Sequence, residues 1–235
     1  GRVSIYENIL SAKGSVKVLL QTYFGDVRDV YSELTSLAFD GIGLDFIEGR
    51  KTLELVKANG FPADKILFAG LVNGKNIWKN DYKKTLGILK SIKADNIVIS
   101  TSCSLLHVPY TLTSETKLDE EYKKHFAFAE EKLTELTELK KITYAENYAE
   151  TEEYRRNAEL HSEPRTTGNE TVRKKVAALT EKDFVRLPEF AERERIQKER
   201  FKLPLLPTTT IGSFPQTAEI KSARNAHRQG EMSDS

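Results

Sequence analysis

The sequence predicts an α/β protein with a parallel sheet, and three observations carry that expectation. Strand-like apolar runs alternate with helix-like segments across short connections, as repeated βα units do. Each strand candidate is mostly apolar on both faces, as strands are when helices and a core cover both sides. Polar residues gather just after these runs, at the carboxyl ends where parallel α/β proteins hold their ligands.

The strand candidates are Val16 to Tyr23, Gly41 to Ile47, Ile66 to Leu71 and Asn96 to Ser102. Between them Val30 to Ala38 and Thr52 to Asn59 read as short helices, and Asp81 to Ile92 sets Tyr82, Leu86, Leu89 and Ile92 at helical spacing. The clearest periodicity runs from Asp119 to Ile142. There Tyr122, Phe126, Ala129, Leu133, Leu136 and Leu139 recur at steps of four and three, which predicts one long helix with that stripe in the core. After Thr143 the composition turns polar. Tyr144 to Glu170 is charge-rich, holds the breakers Pro164 and Gly168, and reads as a surface linker. Thr171 to Leu179 and Pro188 to Phe201 are helix candidates, the second with Glu and Arg at ion-pair spacing on a solvated face. Leu203 to Ile211 is β-prone, and Gln216 to Arg228 reads as a helix closed by Gly230.

Four βα units do not close a barrel, which takes eight strands; an open four-stranded sheet leaves two bare edges and exposes its inner face. The expected architecture is therefore the C-terminal half of a (βα)8 TIM-type barrel over residues 1–143, a largely helical linker over 144–202, and the first βα unit of a second TIM-type barrel over 203–235. The chain opens Gly-Arg-Val, with no signal core, so Gly1 reads as an internal cut.

Composition excludes several function classes. With 36 basic and 35 acidic residues the formal net charge is +1, so no global field draws nucleic acid or an anionic membrane. The longest apolar runs are strand-sized, far below the roughly 20 residues of a bilayer span. Cys103 is the sole cysteine, which rules out an internal disulfide and fits a reducing, cytoplasmic setting.

At the strand ends, Asp45 and Glu48 are candidates for paired acid–base work, although a strand-end carboxylate more often accepts hydrogen bonds from loop amides. Cys103 and His107, four apart on an extended segment, could share a face and offer sulfur and nitrogen to a metal. Zinc needs three or four ligands, however, and the other histidines, His125, His161 and His227, lie on helices or in the linker. The sharpest local signal is Leu205-Leu206-Pro207-Thr208-Thr209-Thr210-Ile211-Gly212-Ser213-Phe214-Pro215-Gln216-Thr217. A β-prone run passes through Gly212 to Ser213, a good N-cap, with Pro215 near the first helical position. Such a corner offers free amides and a positive helix end to a carboxylate or phosphate; the plainer alternative is an ordinary capped turn.

Thr208 to Thr217 resembles the segment that opens the catalytic barrel of the cobalamin-independent methionine synthase family, the methyltetrahydropteroyltriglutamate–homocysteine methyltransferases. Thr22-Tyr23-Phe24-Gly25-Asp26, Gly70 to Trp78 and Ser102 to Pro109 look like later strands of that family's N-terminal barrel. The resemblance implies two face-to-face barrels, with this chain crossing their junction and 203–235 opening the catalytic one. It implies that Ile211, Gly212 and Ser213 bind homocysteine or methionine. It further implies that zinc, without cobalamin, holds the homocysteine thiolate that attacks the N5 methyl of methyltetrahydrofolate while an acid assists N5. The zinc ligands would lie beyond Ser235, no residue here takes a catalytic role, and the isolated chain would be inactive. Implied partners are homocysteine, methionine, 5-methyltetrahydropteroyltriglutamate and the rest of the parent chain. Two other classes stay open: an amino-acid-binding or interaction module built from the same barrel, and an enzyme of the uroporphyrinogen-decarboxylase-like barrel group.

Overall fold

The computed structural model describes residues 2–162, 168–208, 212 and 215–233. Two units divide the chain, Gly1–Thr167 and Gly168–Ser235.

In the first unit four parallel strands lie in sequence order: β1 (Leu19–Gln21), β2 (Gly41–Asp45), β3 (Ile66–Val72) and β4 (Ile97–Thr101). Each falls inside its predicted run or within one residue of it. The connecting helices α2 (Tyr31–Ser36), α3 (Thr52–Asn59) and α4 (Tyr82–Ser91) also sit where the periodicity places them. An earlier helix, α1 (Arg2–Ser11), has no counterpart in the sequence reading; it lays Val3, Tyr6 and Leu10 against the core, with the Tyr6 ring edge-on to Phe39 at 5.5 Å.

Strand register explains which face is covered. Pairing of Leu20 with Ile42, Ile42 with Leu67 and Leu67 with Ile97 puts these side chains, together with Leu44, Ala69, Leu71 and Ile99, on one face. That face packs into the main core with Tyr31, Leu34, Leu37, Phe39 and Val56. The opposite face carries Leu19, Gln21, Gly41, Gly43, Ile66, Phe68, Gly70, Val98 and Ser100. Leu19, Ile66 and Val98 are 45%, 40% and 41% exposed there, so this face has no apolar cover within the unit. Its glycines make room for neighbours: a Cβ on Gly41 would lie 2.9 Å from the Phe68 ring, and one on Gly43 would overlap the Gln21 side chain.

The expected long helix over 119–142 is in fact two, α5 (Glu120–Lys123) and α6 (Ala129–Tyr144). Between them the chain extends to pair with the segment after β3: Lys79 N donates to His125 O at 2.9 Å and Ala127 N to Ile77 O at 2.7 Å. Those bonds replace about one and a half helical turns, and they leave the expected stripe only partly in the core, with Leu139 buried and Leu136 packed against the same cluster. Tyr122 and Leu133 are exposed, whereas Lys132, Glu135, Leu139 and Ile142 form the buried face.

The polar stretch after Thr143 is more than a solvated connection. It holds α7 (Glu152–Leu160), which docks on α4 and α6 through polar contacts. Asn157 Oδ1 accepts the Tyr82 amide at 2.9 Å and its Nδ2 donates to Asn80 O at 2.8 Å, so α7 satisfies the open amino end of α4. Lys90 lies over the Tyr148 ring at 4.1 Å, and Tyr148 meets Tyr154 edge-on at 5.2 Å.

The second unit contains α8 (Glu170–Ala177), α9 (Phe190–Phe201) and α10 (Ala218–Arg228), close to their predicted ranges, and Gly230 follows α10 at φ +77°. None of its described residues is buried, and residues 203–208 form no strand, contrary to the expected β-run; the remainder of that run, 209–211, lies outside the described residues. No helix among the described residues is long and apolar enough to cross a membrane.

Candidate functional site

The loops after the four strands meet at one rim of the first unit, and Asp45 ties two of them together. Its side chain is buried; Oδ2 accepts the Phe24 amide at 2.9 Å, and Oδ1 accepts those of Ile47 at 2.8 Å and Glu48 at 2.9 Å. Both oxygens thus serve the backbone. Glu48 is exposed and pairs with Lys75 at 3.5 Å, so the two carboxylates do not form an acid–base couple. Gly49 lets the loop close: a Cβ there would collide with the Asp45 carbonyl oxygen and the Thr52 hydroxyl.

The other two loops are fixed by their own polar residues. Asn73 Oδ1 accepts the amides of Lys75 at 2.8 Å and Asn76 at 3.1 Å, and the Gly74 amide donates to Ser102 Oγ at 3.2 Å. A Cβ on Gly74 would stand 2.5 Å from the Cys103 carbonyl oxygen, so only glycine permits this approach. Ser104 caps a single 3₁₀ turn, Leu105–His107, by accepting the Leu106 amide at 3.2 Å.

These loops converge on Phe24. Its backbone is left-handed, φ +64°, a strained position for a side chain of this size. Phe24 is 44% exposed, and its ring stands 5.1 Å from the Tyr23 ring, 5.1 Å from the His107 ring and 5.3 Å from Lys75 Nζ. Beside it, the Arg28 guanidinium grips Asp26 at 2.5 and 2.6 Å and holds that carboxyl down at about 2.

Cys103 and His107 do not act as a metal pair. The turn begun at Ser104 breaks the extended geometry that would align them: Cys103 is buried, with burial pushing its thiol pKa up, while His107 is exposed against Phe24. Among the described residues no three His, Cys, Asp or Glu side chains gather so as to hold a metal ion.

Two buried charged residues escaped the sequence reading. Lys132 donates from Nζ to the Trp78 carbonyl at 3.1 Å, and burial pushes its pKa down. Glu135 accepts the Asn80 amide on Oε1 at 2.8 Å, its Oε2 is buried without a partner, and burial raises its pKa to about 7. It borders a cleft of about 660 Å³ between α4, α6 and α7, where Tyr82 and Arg156 both bond Glu138 at 2.6 Å. Lys132 and Glu135 share the helical spacing of Leu139 and Ile142, but that spacing alone does not mark charged side chains as buried.

In the second unit the predicted corner is only partly described. Ile211 and Ser213 lie outside the described residues. Gly212 is left-handed, φ +69°, with open space where a Cβ would stand. The helix opens later than expected. Thr217, not Ser213, is the N-cap of α10, accepting the Ile220 amide at 3.3 Å, and Pro215 precedes the first turn. Thr217 sits directly before Ala218 and Glu219, a strong helix former and a first-turn acid, which favours starting there.

Comparison with known proteins finds related sequences. A profile described as "Cobalamin-independent synthase, N-terminal domain" matches residues 2–96, and one described as "Cobalamin-independent synthase, Catalytic domain" matches residues 206–235. A protein of Streptococcus thermophilus named 5-methyltetrahydropteroyltriglutamate–homocysteine methyltransferase is 55% identical over 98% of this chain. Proteins of the same name from Streptococcus pneumoniae serotype 4 and Lactococcus lactis subsp. lactis are each 54% identical over 98%. The chain spans 30% of the length of each of these relatives.

Proposed function

Since this chain belongs to the cobalamin-independent methionine synthase family, we propose that it is part of a methyltransferase that moves the methyl group of 5-methyltetrahydropteroyltriglutamate to homocysteine, giving methionine. The observation that carries the proposal is the 55% identity sustained over 98% of the chain, with both family profiles matched in order. On this basis residues 1–143 are the second half of an N-terminal (βα)8 barrel, 144–202 an inter-barrel linker, and 203–235 the opening of the catalytic barrel. The uncovered sheet face with exposed Leu19, Ile66 and Val98 supports the half-barrel assignment, because a barrel interior is filled by side chains from all its strands. The family's setting is taken to be the cytoplasm.

Ile211, Gly212 and Ser213 are proposed to bind homocysteine or methionine. The left-handed backbone at Gly212, with nothing occupying its Cβ position, supports a close approach of ligand to main chain. Zinc belongs to the proposed activity, but the described residues do not fit it: burial raises the Cys103 thiol, the wrong direction for a thiolate ligand, and no third donor joins His107. Its ligands are expected elsewhere in the native polypeptide.

The test is methionine formation from homocysteine and the folate triglutamate with zinc present. The native gene product is expected to turn over and residues 1–235 alone are not. Gly212→Val in the native product is expected to raise KM for homocysteine at least about tenfold, as a blocked close approach would. An unchanged KM removes the Ile211 to Ser213 assignment, and a native product that forms no methionine removes the activity.

A further inference from the structure

We propose that α7 is a proton-controlled latch, which stays closed on α4 and α6 while the Glu135 carboxyl carries a proton and lifts away when that carboxyl ionises. The latch goes beyond the methyl-transfer reading and uses none of its residues.

Glu135 enters the fold with one carboxyl oxygen used and the other idle. Oε1 accepts the Asn80 amide at 2.8 Å, whereas Oε2 is covered and has no hydrogen-bond partner. Atoms of this unit already supply that cover, so further polypeptide can deepen it but does not expose the oxygen. A neutral carboxyl is tolerated in such a place; a carboxylate there calls for water or a cation. The buried ammonium on the same helix is engaged elsewhere, since Lys132 Nζ donates to the Trp78 carbonyl at 3.1 Å.

Of the helices around Glu135, α7 is the one held most lightly. The cluster of Val72, Tyr82, Leu86, Leu139 and Ile142 locks α4 to α6, and α7 adds Tyr154 at its edge. Polar contacts do the rest: Asn157 bonds the backbone of Tyr82 and Asn80, and Arg156 bonds Glu138 at 2.6 Å. Arg156 is 60% exposed, which makes that pair a weak one. Segments with few buried apolar contacts open locally well before the whole fold does. Asn80 joins the carboxyl to the latch, because its amide bonds Glu135 and its carbonyl bonds Asn157.

The surrounding charges set the direction. Lys132 and Lys79 favour the ionised form of Glu135 and Glu138 opposes it, but burial outweighs them and raises the pKa from 4.5 to about 7. The same cleft is lined by Glu131 on α6, by Glu121 on α5 with Lys124 and His125 just after it, and by Arg156 and Glu159 on α7. Tyr82 on α4 donates to Glu138. His161, a further titratable group, stands with Nδ1 2.8 Å from the Asn157 carbonyl. With the closed form binding its proton more tightly than the open form, closure is favoured at low pH; opening grows as the pH rises and levels off above about 7.

The experiment is hydrogen exchange of the native gene product, read by mass spectrometry in peptides covering 152–162 and 41–45, with intrinsic rates divided out and closing fast relative to exchange. Protection over 152–162 is expected to fall about tenfold from pH 6 to pH 8. It should change little in about 1 M urea, in contrast to protection over 41–45, because a local opening exposes little surface. Glu135→Gln should hold protection over 152–162 constant within about twofold across this range. Glu138→Gln, the recourse if the first variant fails to fold, removes a charge that raises the Glu135 pKa and should move the upper end of the fall to lower pH. Flat protection over 152–162 in the unmodified protein overturns the latch, and so does a urea response equal to that of 41–45. A fall that persists in Glu135→Gln assigns the effect to His125 or His161 instead, and an unmoved fall in Glu138→Gln overturns the latch where the first variant cannot be read.

Discussion

Asp45 accepts the backbone amide of Phe24 at 2.9 Å, and through that one bond a buried carboxylate on β2 holds a strained aromatic at the end of β1. The same side chain takes the amides of Ile47 and Glu48, so it is the junction of two loops rather than a proton carrier. Asp45→Asn keeps an acceptor but loses charge-assisted bonding, and is expected to cost about 1–3 kcal/mol; Asp45→Ala strands three amides and should cost more. Urea unfolding checks the size, and faster hydrogen exchange at Phe24, Ile47 and Glu48 checks the location.

Glu135 makes stability depend on pH. Burial raises its pKa from 4.5 to about 7, so the folded chain holds a proton that the unfolded chain gives up. Its contribution is therefore complete below about 4.5 and is lost as the pH rises through about 7. Lys132 and Lys79 act against this shift and Glu138 with it. Glu135→Gln, which retains an acceptor for the Asn80 amide, should gain on the native chain by roughly 1–3 kcal/mol between pH 5 and pH 8. Parallel unfolding curves at the two pH values would show the group to be uninvolved.

Two glycines should respond to alanine in opposite directions. At Gly49 the added methyl meets the Asp45 carbonyl and the Thr52 hydroxyl, and a loss of about 3 kcal/mol or more is expected. At Gly87, in the exposed middle of α4 with nothing near its Cβ position, the same change should gain about 0.5–1 kcal/mol. Thermal melts of the two variants would fall on either side of the parent.

The start of α10 gives a direct check on its cap. Thr217→Ala should lower stability of that helix by about 1 kcal/mol, while Ser213→Ala should leave its helicity unchanged. Circular dichroism of a peptide spanning 208–233 suffices, and a larger loss at Ser213 would return the cap to the earlier residue.

The sheet and its flanking helices were legible because Ile42, Leu44, Leu67 and Leu71 lie in short, mostly apolar runs bounded by turns and separated by helix-period segments, a pattern set locally. The break between α5 and α6 was not, because nothing local stops a helix at Phe126; the competing bonds come from Ile77 and Lys79, distant in sequence. The same applies to Lys132 and Glu135, whose burial depends on what packs over them. At the rim, Gly70 to Trp78 and Ser102 to Pro109 stood out as strand-end stretches, but the meeting of Lys75 and His107 at Phe24 is a product of tertiary structure. Ile211 and Ser213 were singled out by family likeness, and local chemistry near Gly212 does not decide between two good caps, Ser213 and Thr217, four residues apart.

Asn157 bears on where this polypeptide can be cut. Its amide group closes the amino end of α4 from a stretch that looks dispensable by composition, so a recombinant piece ended after Thr143 would leave the Tyr82 amide stranded in the interior and the Asn80 carbonyl without its donor. Expression boundaries placed after Ser162 keep that seal intact, and linker-replacement experiments in this region need to begin beyond it.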